Sequence, residues 1–263
     1  MVKIFRKIRQ RLLSENKFSR YLLYAIGEIF LVVIGILIAL QINNWNESKK
    51  NQKIELRYLK ELKSEFAQNL VLANESIRSN ENIKASSAKM LKFTGEKRIE
   101  ISEMELALTM NQSFAPNPRY IPSPSIIEDL INSGIIASIN NDTLRIQLAE
   151  WFVILEFAKR KEDEIFEQRN AITELILSQI PFLNFLRDDG SGNLYEPLSI
   201  GSNFKGDTRD ILNDVHFENR LGMFIILLIG GEFAYINIKE HCERILITIE
   251  NELIARQKLV TKG

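Results

Sequence analysis

"YAIGEIFLVVIGILIALQINNWNE", residues 24–47, is the stretch on which the reading of the whole chain turns. The apolar run that overlaps it covers residues 21–42, 22 residues with one charge, Glu28. As a helix at about 1.5 Å per residue it measures about 33 Å, enough to cross a hydrocarbon core of about 30 Å. Tyr21 and Tyr24 stand at one end and Trp45 at the other, where an interfacial aromatic belt would lie. The run is too long for the apolar part of a cleaved signal peptide, and no small-x-small cleavage site follows it. The pattern predicts an uncleaved signal anchor, a single-pass transmembrane helix.

Glu28 is the anomaly in that helix. On a wheel of about 100° per residue, Tyr21, Tyr24, Gly35 and Ala39 all fall within about 40° of it. Gly35-x-x-x-Ala39 is the small-x-x-x-small pattern that lets two membrane helices approach closely. Tyr21, Tyr24, Glu28, Gly35 and Ala39 are therefore the expected contact face for a second copy or another membrane protein, with Glu28 protonated or paired there. An acid reaching toward the headgroups or Arg20 also fits.

The flanks set an orientation. Residues 6–20 hold six Lys or Arg and residues 43–57 hold four, which favours the N-terminus in the cytosol. Residues 1–20 then form a cytosolic basic segment in which Ile4, Phe5, Ile8, Leu12 and Leu13 fall near helical spacing. That suits a helix lying on an anionic leaflet, and equally a segment whose charges only fix topology. Residues 43–263 would lie in the periplasm, outside a bacterial inner membrane.

The rest of the chain reads as helix. Gly and Pro number 12 and 6, and four of the prolines fall within residues 116–124. No Gly or Pro occurs between Gly35 and Gly95, and Leu59, Leu62, Phe66 and Leu70 make an apolar stripe. The stripe thins to Ile77, Ala85, Ala88 and Leu91, so a break at 79–82 is plausible. A shorter helix is expected over 101–110, then a stiff connector, "SFAPNPRYIPSPS", residues 113–125. Ser125 and Glu128 match a capping box, and Asn132-Ser133-Gly134 is a stop. Asn140, Asn141 or Asp142 caps a helix over 143–179 with the stripe Leu144, Leu148, Trp151, Leu155, Ala158, Ile165, Ile172, Leu175 and Ile176. Within it "KRKEDE", residues 159–164, reads as a solvated face, and Pro181 ends it. Residues 182–206 read as loop, with "DDGSGN" a clear turn. The last helix spans 214–259; its 11-residue apolar run at 221–231 is short for a membrane span and fits a buried core helix, with Gly230 and Gly231 marking a kink or a close helix contact. The expected fold is all-α: the transmembrane helix, then an elongated antiparallel bundle of three long helices plus a broken fourth, packed like a coiled coil.

Chemistry is harder to find. Lys+Arg and Asp+Glu both number 34, which gives no support to nucleic-acid binding. The lone Cys242 excludes an internal disulfide and a multi-cysteine metal site, and reads as a small buried hydrophobe. The two histidines, His216 and His241, lie in no metalloprotease or di-iron motif, and "HCE" at 241–243 is a poor chelate because neighbours on a helix diverge by about 100°. No P-loop, nucleophile elbow or dinucleotide fingerprint occurs. No catalytic residue, metal or cofactor is expected. Trp151 and Phe152 are the candidate lining of a pocket between helices, with core packing as the alternative role.

"ENKFSRYLLYAIGEIFLVVIGILIALQINNWNE", residues 15–47, closely resembles the N-terminal signature of an uncharacterised bacterial single-pass membrane-protein family, a domain of unknown function. "IIEDLINSGIIASINNDTLR", residues 126–145, looks like that family's second block. The resemblance implies one N-terminal span and a helical domain, and brings no activity, cofactor or catalytic residue with it. The expected role is a membrane-anchored scaffold or sensor-like protein acting through partners; the alternatives are a periplasmic small-molecule-binding bundle and an unrecognised enzyme.

Overall fold

The computed structural model describes residues 18–95, 100–123, 125–194 and 196–260. The expected amphipathic segment lies outside the described residues as far as residue 17, and so do the side chains of Tyr21 and Tyr24. The protein is all-helical, with no strand among the described residues. Its principal helices are α1 (Phe18–Leu91), α2 (Glu103–Phe114), α3 (Ser125–Asn132), α4 (Asp142–Gln179), α5 (Phe182–Asp188), α6 (Glu196–Ser199) and α7 (Val215–Val260). Short 3₁₀ turns occupy Ile135–Ser138, Ser191–Leu194 and Thr208–Asn213. The chain divides into two compact units, residues 1–57 and 58–263.

The first unit contains the apolar part of α1. Every residue from 29 to 53 is exposed. Leu31 is 74% exposed and Phe30 67%, so no face of this helix is a core face. By length and composition α1 is able to cross a membrane, and so is α7; α7, however, buries 39% of its most apolar window against none for α1.

The second unit is organised by one spacing. Along α1 the buried positions are Leu59, Leu62, Phe66, Asn69, Ala73, Ser76, Asn80, Ile83, Ser87 and Met90, alternating steps of three and four. Along α7 the same alternation runs through Phe217, Leu221, Phe224, Leu228, Tyr235, Ile238, Cys242, Ile245 and Ile249, with Gly231 at the step between Leu228 and Tyr235. On α4 it runs through Leu144, Leu148, Trp151, Ala158, Glu162, Ile165, Ile172 and Ile176. This is the 3.5-residue period of a coiled-coil seam. Ile77, Ala85, Ala88 and Leu91 lie off it, half-buried or exposed. The stripe does not thin; it continues through polar residues.

Hydrogen bonds fix the directions. Asn141 reaches Glu252 at 3.2 Å, His241 meets the Gln147 carbonyl at 2.7 Å, and Gln168 donates to the Arg220 carbonyl at 2.8 Å, so α4 and α7 run antiparallel. Lys63 pairs with Glu250 at 2.8 Å and Thr94 donates to Glu218 at 2.7 Å, so α1 also runs against α7. Asn80 donates to the Leu228 carbonyl at 2.8 Å, which puts a packed contact where a break in α1 was plausible; the helix is continuous there. Gly231 is the close approach: a Cβ there would lie 2.6 Å from Ile165 Cδ1.

The caps follow the sequence in part. Asn141 accepts the Leu144 amide at 3.0 Å and starts α4. Ser102 accepts the Glu105 amide at 3.1 Å, so α2 begins two residues after the expected start. It runs on past Met110 to Phe114, with the buried hydroxyls of Thr109 and Ser113 satisfied by carbonyls one turn back, at 2.7 and 2.8 Å. The first turn of α3 receives a long-range partner, the Glu65 carboxylate, which accepts the Ile126 amide at 2.6 Å.

Candidate functional site

Three places concentrate polar or unsheltered groups. The first is the stripe on the apolar part of α1. Glu28 is half-buried, and Gly35 and Ala39 are exposed. A Cβ added to Gly27 or Gly35 would meet nothing within 4 Å. The face is thus open around its small residues.

The second is the seat of the proline-rich connector. Asn69, fully buried on α1, accepts the Ser123 amide at 2.8 Å and donates to the Ser123 carbonyl at 3.4 Å. Glu162 on α4 accepts the Tyr120 amide at 2.6 Å. The Tyr235 hydroxyl of α7 donates to the Pro118 carbonyl at 2.7 Å, and Arg169 to the Pro116 carbonyl at 3.0 Å. Glu162 is 8% exposed, and burial raises its carboxyl above the ordinary range. It sits inside "KRKEDE", which as a whole reads as solvated; the signal that finds it is its place on the three-four spacing, four residues after Ala158. Burial likewise raises the hydroxyls of Tyr120 and Tyr235.

Trp151 packs behind this seat. It is 1% exposed, edge-on to Phe66 at 5.1 Å and to Tyr120 at 6.3 Å, and stacked on His241 at 6.2 Å. Phe152, its neighbour, is 38% exposed. The two side chains do not come together. His241 has both ring nitrogens engaged: Nε2 donates to the Gln147 carbonyl, and Nδ1 accepts from Arg244 at 3.0 Å. That pair of partners fixes the neutral ring, and burial lowers its pKa. Burial pushes the neighbouring Cys242 thiol up to about 12, so it is held as an unreactive thiol.

The third is a cleft of about 240 Å³ between α2, α4 and α5. Met110, Phe114, Ile176, Phe182, Phe185 and Leu186 make its apolar walls, and Phe182 and Phe185 stack at 5.4 Å. Neither Trp151 nor Phe152 lines it. At its polar end Asn111 donates to Asp189 at 2.6 Å and to Ser191 Oγ at 3.2 Å. The Ser191 hydroxyl and amide both donate to the Asp189 carboxylate, each at 2.7 Å. The glycines of "DDGSGN" make this possible: Gly190 adopts a positive φ of 81°, and a Cβ on Gly192 would stand 2.7 Å from the Leu198 carbonyl oxygen. Reading 182–206 as loop misses it. The segment is a built cap, in which Asn184 accepts the Ser202 amide at 2.8 Å. It still presents Leu194, Ile200 and Phe204 to solvent.

No curated protein and no solved structure matches the chain. The model of a family of unknown function, DUF6090, matches residues 28–196, more than half of the chain, from Glu28 through the connector, α4 and the cleft. The chain belongs to that family.

Proposed function

We propose that this is a single-pass membrane-anchored protein that works through other proteins, as a scaffold or sensor-like input. Residues 21–42 cross the bacterial inner membrane, residues 1–20 lie in the cytosol, and residues 43–263 fold in the periplasm. There the three long helices form an antiparallel bundle with α2 and α3 inserted between the first and second. The three-four spacing shared by α1, α4 and α7 supports that packing.

The observation that carries the membrane reading is the exposure of α1 on every side through its apolar run. In water a helix buries one stripe and wets the other; a helix apolar all round needs an apolar solvent. An acid and small residues on one face of a membrane-spanning helix favour contact with a partner helix, which is the route for a signal. The stripe of Tyr21, Tyr24, Glu28, Gly35 and Ala39 is the surface offered to that partner or to a second copy.

Crosslinking of the full-length protein in native membranes tests this. Hydrogen bonds between membrane helices contribute about 0.6–1.7 kcal/mol, so Glu28→Ala should weaken association roughly three- to eighteen-fold. Gly35→Leu should weaken it by steric blockade, and Leu37→Ala, on the opposite side of the helix, should leave it intact. Equal association in all three variants removes the pairing face. A cytosol-dependent reporter that works when fused at Gly263 overturns the orientation.

A further inference from the structure

We propose that the cleft between α2, α4 and α5 is a binding site for a small aromatic amine. This stands apart from the membrane reading, because it rests on α2, α4 and the cap, all within residues 58–263.

Size comes first. A cavity of about 150 Å³ lined by Leu, Ile and Phe takes up benzene. At about 240 Å³ the cleft has room for a ring and a short side chain. Phe114, Phe182 and Phe185 supply aromatic faces for the ring.

Charge decides the rest. Among the described residues three donors reach the Asp189 carboxylate: Asn111 Nδ2, Ser191 Oγ and the Ser191 amide. All three are neutral. An ionised carboxylate offers about four acceptor positions, so the set leaves room for one more donor. The nearest arginine in sequence, Arg187, is engaged with Asp188 at 2.8 Å. A carboxylate held by neutral donors beside aromatic walls favours a cation and repels an anion. The Gly192 contact with the Leu198 backbone fixes the turn that carries Asp189 and Ser191, so the polar end is preorganised.

The test is calorimetric titration of the full-length protein in zwitterionic-lipid nanodiscs, with protein-free nanodiscs as blank. The probes are phenethylamine and its charge-reversed counterpart, phenylacetate. Phenethylamine should bind saturably, with a dissociation constant of roughly 10–1000 µM, and phenylacetate should not. Asp189→Asn keeps an acceptor for Asn111 Nδ2 and the Ser191 hydroxyl, loses the one that faces the Ser191 amide, and removes the charge, so it should weaken binding about tenfold or more. Ala115 lines the cleft at an exposed position, so Ala115→Trp should fill the cleft and abolish binding without lowering the melting temperature. If Asp189→Asn fails to fold, Ala115→Trp decides alone. Absence of saturable phenethylamine binding, equal binding of phenylacetate, or affinity unchanged by these substitutions overturns the proposal.

Discussion

Asn69→Ala is the substitution that best tests how the second unit, residues 58–263, is held together. Asn69 is fully buried, and its carboxamide pairs with the Ser123 backbone as a neighbouring strand would, through bonds of 2.8 and 3.4 Å. The longer bond lies beyond the usual N–H···O range and is worth little. The shorter one matters, because without it the half-buried Ser123 amide has lost its acceptor. A buried donor left unsatisfied costs about 1–3 kcal/mol. In a unit of about 200 residues each kcal/mol shifts the melting temperature by about 2–4 °C, so the variant should melt roughly 2–12 °C lower. Asn74→Ala is the control. That amide is exposed and bonds the Leu70 carbonyl of its own helix at 2.8 Å, so its loss should stay within about 0.5 kcal/mol. Thermal unfolding of the full-length protein in detergent can be followed by Trp151 fluorescence in a Trp45→Phe background, since the chain has two tryptophans. Trypsin supplies a second reading: cleavage after the exposed Arg119 should quicken once the connector is loosened. If Asn69→Ala melts with Asn74→Ala and Arg119 is cut no faster, the connector is not clamped as described.

Glu162→Gln separates charge from shape at the same seat. Burial raises the folded carboxyl above its ordinary value of 4.5, so the folded state binds this proton more tightly than the unfolded chain does. The associated stability is fully present below the ordinary value and is lost as pH rises through the folded one. The glutamine variant lacks this slope, so its melting temperature should gain on wild type as pH rises above the ordinary value of 4.5; parallel profiles refute the assignment. Gly192→Ala should destabilise the cap by about 1–3 kcal/mol, because the backbone oxygen 2.7 Å from the new Cβ cannot swing aside. Gly222→Ala, with nothing within 4 Å, should be neutral or stabilising by up to about 1 kcal/mol in the same melt. Equal effects of the two glycine substitutions would mean that the turn yields.

The sequence made the helices legible where apolar residues marked the period. Leu59, Leu62 and Phe66 on α1, and Leu144, Leu148 and Trp151 on α4, all lie on the buried stripe. Reading failed where the period ran through polar residues. Asn69, Ser76, Asn80 and Ser87 keep the three-four step on α1 but carry no apolar signal, whereas the apolar Ile77, Ala85 and Ala88 beside them lie off it. Glu162 was hidden in the same way, by five charged neighbours that do point to solvent or to half-exposed positions. The cleft was hidden for another reason. Asn111, Asp189 and Ser191 are 78–80 residues apart in sequence across the pair, and no local pattern joins them.

Two of those buried polar positions, Asn69 and Glu162, are nonetheless a consequence of something the sequence displays openly. A segment with four prolines cannot join a helix or a sheet, and its remaining amides and carbonyls must still find partners if it is covered. Among the described residues, the partners found for the backbone of residues 116–123 are side chains on the long helices. The amides of Tyr120 and Ser123 go to Glu162 and Asn69; the carbonyls of Pro116 and Pro118 go to Arg169 and Tyr235. Glu65 then takes the amide of Ile126, where α3 begins. The polar interruptions in α1 and α4 around this level are therefore complementary to the connector. A proline-rich stretch laid between periodic helices is grounds for expecting Asn, Glu, Arg and Tyr at seam positions facing it. By the same reasoning, replacing Asn69 or Glu162 with leucine would improve the apolar pattern and weaken the fold, because an orphaned connector amide costs more than the added burial returns.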